Sequence, residues 1–207
     1  MTQLTQPPPS GALLGVVIAG GRSIRFGGEK AVALFQGKPL LMWAVQRLRL
    51  ACTAVAVNAR PGTEAEALAL AEGLPVLHDL PGDAAGPLAG VRAGLIWAVG
   101  RGAGAIAVSP CDAPLLPDDL YLRLAAAADA GAAMAETAEG HQPLCAVWPV
   151  STLGRVAEAL ADGAHPATWR LLDSVGAVRV RFESNEAFAN VNTREELAAV
   201  EQRAGRG

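Results

Sequence analysis

A glycine-rich segment with three basic side chains follows the first apolar run of the chain. It reads Ala19-Gly20-Gly21-Arg22-Ser23-Ile24-Arg25-Phe26-Gly27-Gly28-Glu29-Lys30. Glycines let a backbone approach a ligand closely, and Arg25 and Lys30 supply the fixed positive charge that a triphosphate needs. The spacing matches neither the Walker pattern G-x-x-x-x-G-K-[ST] nor the dinucleotide-binding pattern G-x-G-x-x-G. We therefore predict a nucleoside triphosphate site of another kind; the alternative is a flexible basic loop without a ligand.

A carboxylate held between two prolines follows a later apolar run. This is Asp112 in Ser109-Pro110-Cys111-Asp112-Ala113-Pro114. Prolines stiffen the backbone on both sides, and hard carboxylate oxygen suits Mg²⁺, which bridges phosphates. We predict that Asp112 binds Mg²⁺; the alternative is that it only caps a turn.

Three further features lie where apolar runs end, and each is weaker evidence. Asn58 and Asp79 follow two such runs, where either could simply terminate a strand. The loop at 81–90 is rich in glycine and proline and opens a helical stretch. It fits a base or phosphate site at a helix N-terminus, or an ordinary turn.

The elements that must position these residues alternate between short apolar runs and helical stretches. Strands are predicted over 13–19, 54–57, 75–77, 103–108, 132–135, 142–148 and 177–182. Helices are predicted over 39–50, 63–72, 88–99, 117–130 and 151–161, with a capping box at 193–196 opening a last one. This alternation indicates a three-layer α/β fold with a mostly parallel sheet and a late antiparallel element. In such sheets ligands bind at the carboxyl ends of the strands, which is where the polar segments lie.

Length and composition limit the class of protein. We predict a single domain over 15–207 and a disordered tail over 1–14, which lacks the features of a secretory signal. The net charge of −3, without a basic run, argues against nucleic acid as a partner, and no window suits a membrane span. Three widely spaced cysteines fit a reducing cytoplasm.

Five motifs in order resemble the molybdenum cofactor guanylyltransferase family. Its Leu-Ala-Gly-Gly, followed by Arg-Met-Gly and Asp-Lys, is similar to the segment 18–30, where Ile18, Phe26 and Glu29 replace Leu, Met and Asp. Its other motifs correspond to the segments 86–90 (Gly-Pro-Leu-Ala-Gly), 110–114 (Pro-Cys-Asp-Ala-Pro, with Ala for Thr), 142–146 (Gln-Pro-Leu-Cys-Ala) and 190–193 (Asn-Val-Asn-Thr). The resemblance covers residues 15–197, nearly the whole chain.

The resemblance implies a Rossmann-like nucleotidyltransferase fold and transfer of GMP from GTP to a molybdopterin-type cofactor, with Mg²⁺ as the metal and pyrophosphate released. The resemblance is also compatible with transient contacts between this protein and molybdoenzyme apoproteins or chaperones. The acceptor would lie near Asn190 and Asn192, although both asparagines could instead satisfy backbone groups before a helix. The residues implied to contact GTP are Ile18, Ala19, Gly20, Lys30, Asn58, Asp79 and Asp112.

An attacking phosphate is already ionised at neutral pH, so the reaction needs alignment and charge neutralisation more than a general base. We therefore assign charge neutralisation to Lys30 and Arg25 and metal binding to Asp112. His78 lies beside Asp79, but a structural histidine at a strand end is the preferred interpretation. The remaining alternatives are a cytidylyltransferase using CTP on the same cofactor, a sugar-nucleotide pyrophosphorylase, and an inactive nucleotide-binding partner protein.

Overall fold

The structure is a computed structural model that describes residues 11–21, 26–84, 86–129, 131–164 and 166–204. The strands are β1 (Leu13–Ile18), β2 (Leu34–Phe35), β3 (Lys38–Pro39), β4 (Ala54–Asn58), β5 (Val76–Leu77), β6 (Ala105–Pro110), β7 (Ala133–Thr137), β8 (Gly140–Pro149) and β9 (Val178–Arg181). The α-helices are α1 (Leu40–Arg49), α2 (Glu64–Ala71), α3 (Pro87–Gly100), α4 (Leu120–Ala128), α5 (Leu153–Ala159), α6 (Thr168–Ser174) and α7 (Arg194–Ala204).

One seven-stranded sheet carries the fold, in the order β5-β4-β1-β6-β8-β7-β9. Strand β1 lies in the interior of this sheet and pairs in parallel with β4 and β6. Strand β8 pairs antiparallel with both β6 and β7 and is the one reversed strand of this sheet. The predicted α/β class, with a mostly parallel sheet and a late antiparallel element, is confirmed.

Helices cover both faces of the sheet, because its central strands are apolar on both sides. Val17 packs into one core with the apolar faces of α1, α2 and α4. Leu14 and Val16 pack on the other side with α3, α5 and α6. A run without polar alternation, such as Leu13–Ile18, is typical of a parallel strand buried between two helical layers.

The last residues of four adjacent strands are paired with one another in the sheet register. Ile18 of β1 pairs with Asn58 of β4 and with Pro110 of β6, and Asn58 pairs with Leu77 of β5. The chain leaves all four strands at the same edge of the sheet, so the segments that follow them share one surface.

A third core joins the C-terminal helix to residues within and after the glycine-rich segment. Phe26 and Phe35 pack there against Val191 and Leu197. Thr193 caps α7 as the capping box predicts, since its Oγ1 accepts the Glu196 N–H at 3.1 Å.

Several predicted boundaries move in the structure. Strand β1 begins at Leu13, two residues before the predicted domain start, and residues 1–10 of the predicted tail lie outside the described residues. The strand predicted over 103–108 occupies Ala105–Pro110, because the Ala103 N–H still closes the turn after α3 by donating to the Ala98 carbonyl at 3.0 Å. The helix predicted over 117–130 begins at Leu120, after a separate turn at Pro117.

Helix α6 and the small β2–β3 hairpin have no counterpart in the predicted elements. Helix α6 begins after Ala167, which offers no capping side chain, so its start carries no local signal. Within the described part of the chain, no helix is long and apolar enough to cross a membrane.

Gly90 lets α3 approach the carboxyl ends of β1 and β4. A Cβ at this position would overlap with the Asn58 side-chain oxygen and lie 2.7 Å from Ile18 Cδ1. The fourth residue of α3 is therefore glycine for reasons of space, although glycine weakens a helix.

We expect Gly90→Ala to destabilise the protein by about 1–3 kcal/mol, because the added methyl forces Asn58 or α3 to shift. The matched control is Gly100→Ala in the same helix, where a Cβ has nothing within 4 Å. Urea denaturation of both variants checks this. Equal stability of the two variants would contradict the close packing at Gly90.

Candidate active site

A cleft of about 650 Å³ lies along the edge where β5, β4, β1 and β6 end. Every residue that the resemblance assigns to GTP lines it: Ile18, Ala19, Gly20, Lys30, Asn58, Asp79 and Asp112. Strands lie about 4.8 Å apart, so the cleft extends roughly 14 Å across the three spacings from β5 to β6. Its two ends differ in chemistry.

Lys30, Asp112 and Asn192 meet at the β6 end of the cleft. The Lys30 ammonium donates to Asp112 Oδ2 at 2.6 Å and to Asn192 Oδ1 at 3.1 Å. Both charged side chains are largely buried, with exposed fractions of 13% for Lys30 and 19% for Asp112. In this setting their charges are only weakly screened by solvent. We call these three residues the charged cluster.

Three separate parts of the chain hold the charged cluster in place. Lys30 is the last residue of the glycine-rich segment and begins a single 3-10 turn, Lys30–Val32. Asp112 lies two residues beyond the end of β6. The segment before α7 is tied to Asp112, because the Val191 N–H donates to the Asp112 carbonyl at 2.8 Å. Asn192 is thereby fixed beside Lys30.

Asn58 and Asp79 form the other end of the cleft. The Asn58 side-chain NH₂ donates to Asp79 Oδ1 at 2.9 Å and to the Leu77 carbonyl at 3.2 Å. Both donors of this buried amide are used, and within the described residues no hydrogen bond reaches its oxygen. That oxygen lies 3.6 Å from where a Cβ on Gly20 would be. Asn58 therefore orients the Asp79 carboxylate and keeps an acceptor beside Gly20.

Arg60 is a cleft residue that our sequence analysis missed. Its Nε donates to the Gly20 carbonyl at 3.1 Å, and its exposed side chain lines the cleft next to Gly20 and Gly21. A basic residue two positions beyond a strand end was the signal that could have identified it.

Leu144 is a second missed residue, and it reaches the cleft through a bulge. Met134 of β7 pairs with Ala146 of β8, but the next residue, Ala135, pairs with Gln142. The segment 143–145 is therefore left out of the ladder, which suits Pro143 because it has no N–H to donate. This bulge explains why the Gln142–Ala146 motif can contribute to the cleft from the reversed strand.

The loop before α3 borders the cleft on the Asp79 side. Gly86 and Pro87 line the cleft, and α3 begins at Pro87. Asp83 pairs with Arg92 of α3 and ties the loop to that helix. The loop predicted as either a site or a turn is thus a turn with two residues at the cleft wall.

Three residues considered in the sequence analysis lie elsewhere. Arg25 belongs to the segment 22–25, outside the described residues. Asn190 is exposed and is not among the residues that line the cleft. His78 pairs with Glu66 of α2 at 2.8 Å, which fits the preferred structural interpretation over a dyad with Asp79.

The one thiol at the cleft wall is not poised for nucleophilic attack. Desolvation raises the pKa of Cys111 to about 12, and the adjacent Asp112 carboxylate adds to the effect. A thiol must ionise to attack, so Cys111 is a poor nucleophile near neutral pH.

Comparisons with known proteins agree on the family. The model of the MobA-like NTP transferase domain matches residues 15–178. The molybdenum cofactor guanylyltransferase of Rhodobacter capsulatus is 40% identical over 194 residues, covering 92% of this chain and 96% of that protein. The one of Cereibacter sphaeroides is 38% identical over 190 residues, covering 91% and 95%.

A solved structure shares the fold. The crystal structure of molybdopterin-guanine dinucleotide biosynthesis protein A from Archaeoglobus fulgidus superposes with a TM-score of 0.75 at 21% identity, over 94% of this chain and 100% of that one. The resemblance inferred from the five motifs is confirmed by the two relatives. On the family model and on these identities, the chain is a member of the MobA-like NTP transferase domain family.

Proposed function

We propose that this protein transfers GMP from GTP to a molybdopterin-type molybdenum cofactor and releases pyrophosphate. The observation that carries the proposal is the two-ended cleft. One end holds the charged cluster, and the other holds Asn58 and Asp79. The choice of molybdenum cofactor as the acceptor and of guanine as the base follows the names of the similar enzymes.

The base belongs at the Asn58–Asp79 end. Guanine has two neighbouring donors, N1–H and the 2-amino group, and a carboxylate accepts both. Asp79 has one oxygen bound by Asn58, which fixes the plane of the carboxylate. The Asn58 oxygen beside Gly20, which accepts no hydrogen bond from the described residues, is a further acceptor at the same end. This set of acceptors favours guanine over cytosine.

The triphosphate belongs at the charged cluster, where Lys30 supplies the positive charge. Phosphate oxygens attract a lysine ammonium strongly, so a bound triphosphate would share Lys30 with Asp112. A side chain buried to this degree presents its charge with little screening.

Asp112 suits a Mg²⁺ ion that is held jointly with the nucleotide. Its carboxylate already binds one cationic group, the Lys30 ammonium, which lies 2.6 Å from Oδ2. Among the described residues no group of three or more His, Cys, Asp or Glu side chains could hold a metal. The other ligands must therefore come from phosphates and water, as is usual for Mg²⁺. When bound, Mg²⁺ would neutralise charge on the phosphates.

The reaction is an exchange of one phosphoanhydride bond for another. An oxygen of the acceptor's terminal phosphate bonds to the α-phosphorus of GTP, the bond to the β-phosphate oxygen breaks, and pyrophosphate leaves with its electron pair. The attacking phosphate is ionised at neutral pH, so the protein aligns the two substrates and stabilises charge. We assign the acceptor to the Asn192 side of the cleft, with Asn190 two residues away.

Three expectations from the sequence accompany this proposal. The cleft is built on one sheet, which supports a single domain over 15–207. The three cysteines are free, which fits a cytoplasmic enzyme. From the resemblance alone, the product would pass to molybdoenzyme apoproteins or chaperones.

Pyrophosphate release tests the proposal. The purified protein is given molybdopterin cofactor, Mg²⁺ and GTP, CTP, ATP or UTP in turn. We expect release with GTP and little with the other three. Equal release with CTP would instead assign the cytidylyltransferase activity, and no release with any nucleotide would favour an inactive binding protein.

Asp112→Asn should lower turnover by roughly 10²–10³-fold while keeping the fold, because it removes the charge needed by the metal and leaves the shape of the side chain. The control is Asp119→Asn on the exposed start of α4. Steady-state kinetics and melting temperatures of both variants decide this. Near-wild-type turnover of Asp112→Asn would rule out its metal role.

Lys30→Ala should weaken GTP binding about 10- to 150-fold and leave guanosine binding unchanged, because its target is the phosphates. Titration calorimetry with both ligands measures the two affinities. Equal losses for GTP and guanosine would show that Lys30 does not contact the triphosphate.

Gly20→Ala should reduce GTP use by about 10- to 200-fold, the effect of one methyl in a tight pocket, and reduce CTP use less. The fold should tolerate it, since the new Cβ would meet Asn58 Oδ1 at 3.6 Å and Arg60 Cγ at 4.0 Å, which are ordinary contacts. Gly154→Ala, with nothing within 4 Å, is the control. An unchanged ratio of GTP to CTP kcat/KM would contradict a base contact at Gly20.

A further inference from the structure

Glu29 joins the end of the glycine-rich segment to the start of α2. Its Oε2 accepts the Glu64 N–H at 2.6 Å, and its Oε1 accepts the Ala65 N–H at 3.0 Å. One carboxylate thus satisfies two of the N–H groups that a helix leaves unpaired at its first turn. This contact spans 35 residues of the chain, and the usual capping residue, Thr63, takes a different N–H, that of Glu66.

The contact between Glu29 and α2 reduces the repulsion that this carboxylate would exert on a bound triphosphate. A carboxylate beside a bound triphosphate would repel it, and Glu29 is the residue next to Lys30. Here both oxygens of Glu29 are held at the N-terminus of α2, where the helix dipole stabilises negative charge. The anion is therefore turned towards the helix and compensated there.

The backbone of Lys30 is held on both sides as a result. Before it, Glu29 is anchored to α2. After it, Ala31 is buried in the same core as Ala65 and Ala69 of α2. The two residues that precede Glu29 are both glycines. Gly27 has a φ of 72°, and neither glycine has a side chain that could hold the backbone in position. Glu29 is thus the first side chain after these two glycines with a hydrogen-bonded anchor among the described residues.

We propose that Glu29 is a positioning residue for the triphosphate end of the cleft: by binding the first turn of α2, it fixes the backbone from which Lys30 reaches Asp112 and Asn192. This inference rests on the proposed triphosphate site, and it needs no particular base. Glu29 acts through Lys30 and does not itself contact the nucleotide. It also makes α2, which contributes no residue to the cleft wall, part of the support of the site.

A double-mutant cycle between Glu29→Gln and Lys30→Ala tests the proposal. Gln keeps the length of the side chain but has only one acceptor oxygen for the two N–H groups. We expect Glu29→Gln to weaken triphosphate binding about 3- to 10-fold and to leave nucleoside binding unchanged. In the Lys30→Ala background the same change should have no further effect, because the group that Glu29 positions is gone.

Thr63→Ala is the matched control, since it removes another cap of α2 and leaves Glu29 and Lys30 untouched. It should lower the melting temperature as Glu29→Gln does, yet leave triphosphate affinity unchanged. Losses from Glu29→Gln that are equal for triphosphate and nucleoside, or that persist in full without Lys30, would overturn the proposal. Equal triphosphate losses in Thr63→Ala and Glu29→Gln would do so as well.

The cycle is measured by calorimetry with the triphosphate that the wild-type protein binds best and with the corresponding nucleoside. A preference for CTP would contradict the proposed guanylyl transfer and would leave this test of Glu29 intact.

Discussion

The parallel pairing of β1 with β4 and β6 is the constraint on which the site depends. It places Ile18 opposite both Asn58 and Pro110, while Asn58 stands opposite Leu77. Four strands therefore end on one line, and each is followed within two residues by a side chain or backbone group of the cleft. A one-residue slip would turn these groups to the other face of the sheet.

Asn58 links this constraint to the packing of the helices. It is buried at the end of β4, donates to the Asp79 carboxylate beyond the end of β5, and lies against Gly90 of α3, where an added Cβ would overlap with its side-chain oxygen. The shape of the Asn58–Asp79 end of the cleft is thus determined by the same contacts that hold α3 on the sheet. At the other end, the third core places α7 so that Asn192 meets Lys30. Binding geometry and stability are coupled at both ends.

The sequence predicted the strands, their parallel arrangement and the segments that line the cleft, because apolar runs and the residues after them are local signals. Contacts between distant segments are not local signals. Lys30 meets residues 82 and 162 positions away, and Glu29 caps a helix 35 positions away. Leu144 reaches the cleft through a shift in strand register that alternation alone does not reveal.

Helix α6 was missed for a related reason. Its start has no capping side chain, and its stability comes from Leu171 and Leu172, which are buried against the sheet. Tertiary packing, not local preference, stabilises such a short helix. The role of Glu29 likewise became visible only when α2 was seen beside the glycine-rich segment.

The central claim is that the nucleotide lies along the strand ends with its base at Asn58 and Asp79 and its phosphates at Lys30 and Asp112. A crystal of the protein soaked with GTP and Mn²⁺, which replaces Mg²⁺ and scatters anomalously, tests this orientation directly. We expect the anomalous peak beside the Asp112 carboxylate and the guanine ring against Asp79. A guanine ring at the Lys30–Asp112 end, or a metal ion bound away from Asp112, would contradict this account.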